Sequence, residues 1–143
     1  MSRLYFQCAA RSAVGLVRNG NEDSALTGSQ LIAVADGMGG HAGGEVASSV
    51  AINTLSEIAP TFINPDIDSE SASDLFLNSL HTIDGQIRAV ASDEPQLAGM
   101  GTTLTSLFIS GSEISLLHVG DSRAYRLRGN NLVQLSADHT VLQ

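Results

Sequence analysis

An α+β fold built on antiparallel sheet is the class this sequence predicts. Short strand-like segments come first, two helical stretches follow in direct succession, and from Thr102 the hydrophobic period drops to two with glycine turns between the runs. Successive helices without an intervening strand are not the alternation a parallel sheet requires. At 143 residues the chain can close one compact core, or part of one, but not two independent domains.

The elements follow in order. Residues 3 to 10 alternate as a strand would, and Asn19, Gly20 and Asn21 make a turn-rich stretch. Leu31 to Ala35 then reads as a short buried strand ending at Asp36. Glu45 to Ala59 sets Val46, Val50, Leu55 and Ile58 near helical spacing and stops at Pro60, whose ring forbids continuation. Residues 60 to 72, with prolines, acids and serines, read as a surface loop. Ser73 is the expected N-cap of a second helix running to about Ser92. Leu75, Leu80, Ile83, Ile87 and Val90 lie on one side of it, and Gly85 is a weak point inside. Leu104 to Ile109, Ile114 to Val119, Ala124 to Leu127 and Leu132 to Leu135, separated by turns at Ser110 to Ser112 and Gly129 to Asn131, read as an antiparallel meander.

Composition narrows the function. The longest apolar run is the five residues Leu31 to Ala35, far short of a bilayer span, and no apolar signal region follows Arg3. The expectation is therefore a cytoplasmic protein. Cys8 is the sole cysteine and has no internal partner; a small hydrophobe is its ordinary role. Fifteen acids against seven arginines and no lysine give a net charge of −8, a field that repels nucleic acid and anionic lipid. An acidic protein that handles phosphate must recruit cations, so the carboxylates become the residues to place.

The densest signal is Ala35-Asp36-Gly37-Met38-Gly39-Gly40-His41-Ala42-Gly43-Gly44-Glu45, five glycines within eight residues between a strand and a helix. It reads either as a turn capping the helix or as backbone brought close to an ion, with Asp36 pointing into the gap. Gly37, Gly39 and Ala42 also satisfy a dinucleotide fingerprint, with Glu57 twenty residues beyond Gly37. A bare Asp36 facing a pyrophosphate, and the missing second parallel strand, count against a nucleotide module. A divalent cation such as Mg²⁺ or Mn²⁺ between carboxylate and phosphate removes the conflict.

A second group, Arg18 to Asp23, sets a guanidinium beside Glu22 and Asp23. It reads as a solvated turn with a local ion pair, or as a two-pronged phosphate grip with acids that order metal waters. A third, His118 to Arg123, offers Asp121 as a further carboxylate. Ser122 lacks the strand-to-helix elbow of a serine nucleophile. His81, His118 and His139 lack zinc-ligand spacing.

Taken together, R-x-x-N-E-D-S from Arg18, A-D-G-M-G-G-H from Ala35, G-M-G-T-T-L-T from Gly99 and V-G-D-S-R from Val119 resemble, in this order, the metal-dependent PP2C (PPM) protein phosphatases. The nearest branch is that of the bacterial serine/threonine phosphatases. The resemblance implies an antiparallel β-sandwich flanked by helices, a four-layer αββα arrangement present here only in part. It implies hydrolysis of phosphoserine and phosphothreonine by a metal-activated water, with two Mn²⁺ or Mg²⁺ ions and a third in bacterial members. Asp36 matches the aspartate bridging both metals, Gly37 the carbonyl ligand, Asp121 the third-metal ligand, Glu22 and Asp23 the acids beside the metal waters, and Arg18 the phosphate-binding arginine.

Met38 stands where many eukaryotic members have a histidine proposed as general acid, which leaves metal-bound water or neighbouring His41 to protonate the leaving oxygen. Expected partners are phosphoproteins, serine/threonine kinases among them. The family draws two more metal-binding aspartates from the second half of its domain, one in a D-N motif, and nothing after Asp138 supplies them. Residues 1 to 143 therefore read as the N-terminal portion of the domain, with Thr140 to Gln143 opening another element and weak activity expected of this length alone. A non-catalytic phosphoprotein-binding remnant is the alternative.

Overall fold

The computed structural model describes residues 3–139. Seven strands and two α-helices succeed one another among them: β1 (Asp23–Leu26), β2 (Leu31–Met38), α1 (Gly43–Ile58), α2 (Ser69–Asp93), β3 (Gly101–Thr102), β4 (Leu104–Ser110), β5 (Glu113–Val119), β6 (Tyr125–Arg128) and β7 (Asn131–Gln134). The main sheet is antiparallel in the order β1-β2-β4-β5, with the short β3 pairing the end of β2. The α+β class expected from the sequence is the one observed.

Alternation along β2 sets the two faces of this sheet. Leu31, Ala33, Ala35 and Gly37 are buried on the helix side, while Val34, Asp36 and Met38 stand on the opposite, open side. The helix side holds the core. Phe62, Phe76 and Phe108 meet there with ring centroids 5.0 to 5.6 Å apart, packed with Leu55 and Leu104. In α1 the buried residues are Gly43, Gly44, Ala47, Ser48, Ala51, Ile52, Thr54 and Leu55; of the expected Val46, Val50, Leu55 and Ile58 only Leu55 is fully buried and the other three are half-buried, because small side chains in the first turns let the helix lie close to β2. A Cβ on Gly37 would land on the Gly44 backbone.

Other boundaries also move. The expected strand at residues 3 to 10 does not form: one backbone bond, Phe6 N–H to Ser29 O at 2.7 Å, ties it down, and Leu4 and Tyr5 are exposed, so its alternation has no covered face. The missing strand is supplied by β1, whose register places Asp23 opposite Asp36. Helix α2 begins four residues before the expected Ser73 cap, since Asp68 accepts the Ser71 amide at 2.8 Å and its hydroxyl at 2.9 Å, and the same bonds hold the Asp68 carboxyl below its ordinary range. Asp68→Ala is expected to cost about 1 kcal/mol in thermal or urea unfolding, the usual loss for an N-cap.

The expected meander is divided. β4 and β5 form a hairpin around Gly111, at φ +61°, but β6 and β7 pair only with each other. The chain between β5 and β6 turns away at Gly120, whose φ of +104° suits glycine. The reading of Thr140 to Gln143 as the start of another element lies outside the described residues.

Candidate active site

Strand alternation carries Asp36 to the open face of the sheet, where the Arg18 loop and the Gly120-Asp121 turn close around it. Arg18, Glu22, Asp36, Gly37, Met38 and Asp121 all line one cavity of roughly 630 Å³. The acids and the arginine, distant in sequence, are thus neighbours. Asp23 faces an adjoining cleft that also contains Asp36 and Ser122. His41, at φ +54°, is exposed and does not line the larger cavity, while Met38 is 65% exposed at its wall.

The backbone of Asp36 is held from two directions. Its N–H donates to Thr103 Oγ1 at 2.9 Å, and its carbonyl accepts the Thr103 N–H at 2.9 Å. Thr103 Oγ1 also shares a 2.7 Å hydrogen bond with Ser122 Oγ, beside Asp121. The Gly37 N–H donates to the Glu22 carbonyl at 3.1 Å, tying the acid loop to the same strand end. The G-M-G-T-T-L-T block contains Thr103, but a residue that acts by bonding to main chain leaves no charge pattern in the sequence to single it out.

Electrostatics at Asp36 are unfavourable as the chain stands. Partial burial pushes its carboxyl above the ordinary value, the charge and shared hydrogen bond of Asp23 raise it further, and Asp121 adds to this, while Arg18 pulls it down. Like charges opposite one another across two strands repel. Arg18 makes no ion pair among the described residues, where the two pairs found are Arg88 with Asp84 and Arg123 with Asp138. Of the two readings of the Arg18 turn, the local ion pair does not form among the described residues, and Arg18 lines the cavity.

Carboxylates and main chain lining the same cavity supply oxygen donors, so the donor chemistry fits Mg²⁺ or Mn²⁺. The set is partial: among the described residues no three carboxylate, imidazole or thiol groups converge on one ion position. No helix among them is long and apolar enough to cross a membrane.

Comparison with known proteins assigns the class. The Protein phosphatase 2C family profile matches residues 20–141, and the chain belongs to that family. It is 43% identical over 143 residues to the serine/threonine protein phosphatase PstP of Mycobacterium tuberculosis, covering 98% of this chain and 26% of that protein. Against the serine/threonine phosphatase stp of Listeria welshimeri the identity is 35% over 137 residues, covering 92% of this chain and 54% of that protein. A crystal structure of the PstP catalytic domain with two manganese ions superposes with a TM-score of 0.80 at 44% identity, covering 91% of this chain and 54% of that one. The chain spans about half the length of that domain and of the Listeria relative, and about a quarter of PstP.

Proposed function

We propose that this chain forms the N-terminal portion, residues 1 to 143, of a bacterial PP2C-type protein serine/threonine phosphatase, and carries its phosphate grip and part of its cation site. The observation that supports this best is the convergence of Arg18, Glu22, Asp36, Gly37 and Asp121 on one cavity, with Arg18 free of any ion pair among the described residues. Mn²⁺ or Mg²⁺, when bound, offsets the charge of the phosphate and makes water nucleophilic at neutral pH.

Asp36 and the Gly37 carbonyl would hold the first cations and Asp121 a further one, and Glu22 and Asp23 would accept hydrogen bonds from the water these order. Arg18 holds two phosphate oxygens and orients the phosphoryl group, and Thr103 fixes the Asp36 main chain so that the carboxylate need not reorganise. Substrates are phosphoserine and phosphothreonine in proteins, serine/threonine kinases among them, and the setting is cytoplasmic signalling. These assignments rest on the resemblance of the four motifs to the family and on the residues that line the cavity.

Arg18→Lys tests the grip. Assayed in a phosphatase domain completed to its relatives' length, the lysine variant is expected to lose about tenfold in kcat/KM, the scale of one charged hydrogen-bond partner. Unchanged kinetics would return Arg18 to a solvated turn. The partial ligand set supports a second reading, a non-catalytic phosphoprotein-binding module. Mn²⁺-dependent hydrolysis of an aryl phosphate by that domain separates the two.

A further inference from the structure

The turn that presents Asp121 is held by a pair of histidines to which the site so far gives no part. Asp121 follows Gly120, whose N–H donates to His139 Nδ1 at 3.3 Å and whose carbonyl accepts the His139 N–H at 2.9 Å. One residue thus meets both polar groups of the glycine. The His139 ring lies 5.2 Å from that of His118, tilted by 40°. Glycine is required at this turn, since its φ is +104° and a Cβ would press against Thr103.

His118 is itself pinned. Its Nε2 lies 3.0 Å from the Ala137 carbonyl, which can only accept, so the proton sits on Nε2. Nδ1 then accepts from Thr105 Oγ1 at 2.9 Å. Thr105 pairs in register with both Val34 of β2 and His118 of β5. His118 therefore stands on the rigid sheet that also carries Asp36. The same reasoning assigns the neutral His139 proton to Nε2, because Nδ1 is the acceptor. Arg123 grips Asp138 with Nε and Nη2, at 2.9 and 2.6 Å, and so anchors the segment that brings His139 into place.

We infer that His139, seated on His118, is a positioning residue: it fixes the Gly120 main chain and thereby aims the Asp121 carboxylate into the cavity that Asp36 lines. This rests on the site reading for Asp121. The role belongs to one ring atom, which makes it separable from mere packing. Asparagine places an acceptor near the position of Nδ1, whereas glutamine places one near Nε2 and alanine places none.

The test uses His139→Asn, His139→Gln and His139→Ala in the 143-residue chain, read by amide NMR with and without Mg²⁺, a diamagnetic probe whose shift changes stay local. His139→Ala and His139→Gln are expected to speed hydrogen exchange at the Gly120 amide about tenfold, and to reduce the Mg²⁺-induced shift change at Asp121 but not at Asp36. His139→Asn should retain wild-type behaviour in both. Wild-type exchange in the alanine variant, or equal losses in all three, would overturn the proposal. Absence of a shift change at both Asp36 and Asp121 in the wild-type chain would instead contradict the cation reading, and Gly120 exchange then decides the role of His139 by itself.

Discussion

Asp36→Asn is expected to lower Mn²⁺-dependent phosphatase activity about 100-fold or more, in a domain completed to its relatives' length, because on the proposed reading a cation ligand is lost with its charge. The same change should stabilise the metal-free protein. The Asp36 carboxyl titrates above its ordinary 3.8 in the folded chain, through partial burial first and Asp23 second. A group raised in this way contributes stability below the unfolded value and loses it as pH rises through the folded one. At neutral pH the ionised Asp36 therefore opposes folding, and removing its charge relieves an opposed like-charge pair worth on the order of 0.5 kcal/mol. A higher Tm for metal-free Asp36→Asn with activity lost would mark a site that trades stability for cation binding. Activity retained at the wild-type level would remove Asp36 from it.

Gly37→Ala is the second large effect, and it acts through backbone. The added Cβ would fall on the carbonyl of Gly44, which no rotamer change can move aside, and Gly44 in turn has Glu22 against it. The expected loss is about 3 kcal/mol or more, at or beyond the upper end for overpacking, with α1 pushed off β2 and the acid loop displaced. Gly85→Ala is the control. That glycine sits inside α2 with nothing near its Cβ position, so alanine should stabilise by about 0.5 to 1 kcal/mol. Urea unfolding of both variants checks the contrast; equal, small effects would mean that α1 and β2 are not in the close contact described.

Much of this was readable from the residues, for physical reasons that differ from place to place. The β4-β5 hairpin was legible because the Ser110-Gly111-Ser112 turn separates two short apolar-rich runs, and α1 because Gly-rich chain on one side and Pro60 on the other bound it. Residues 3 to 10 misled because alternation records only that one face could be buried, not that another strand is there to pair. The start of α2 was missed in a serine-rich run with several competent caps, where the Asp68 bonds to Ser71 decide the matter.

The division of the meander turns on the main chain at Gly120 and on the His139 contacts, which come from a residue nineteen positions away. The acids and Arg18 could be singled out because each is a charge in a polar, glycine-rich context. Thr103 and His139 could not, since both work through main-chain hydrogen bonds made only once the sheet exists.

The central claim, that these carboxylates gather a divalent cation at the end of β2, is tested most directly by titrating the isotope-labelled chain with Mg²⁺ and following amide shifts residue by residue. The account predicts that Asp36 and Gly37 shift first and Asp121 at higher Mg²⁺, with Gly85 on the distant helix unchanged. Shifts that begin instead at surface acids such as Glu70 and Asp74, and leave Asp36 and Gly37 unmoved, would contradict it.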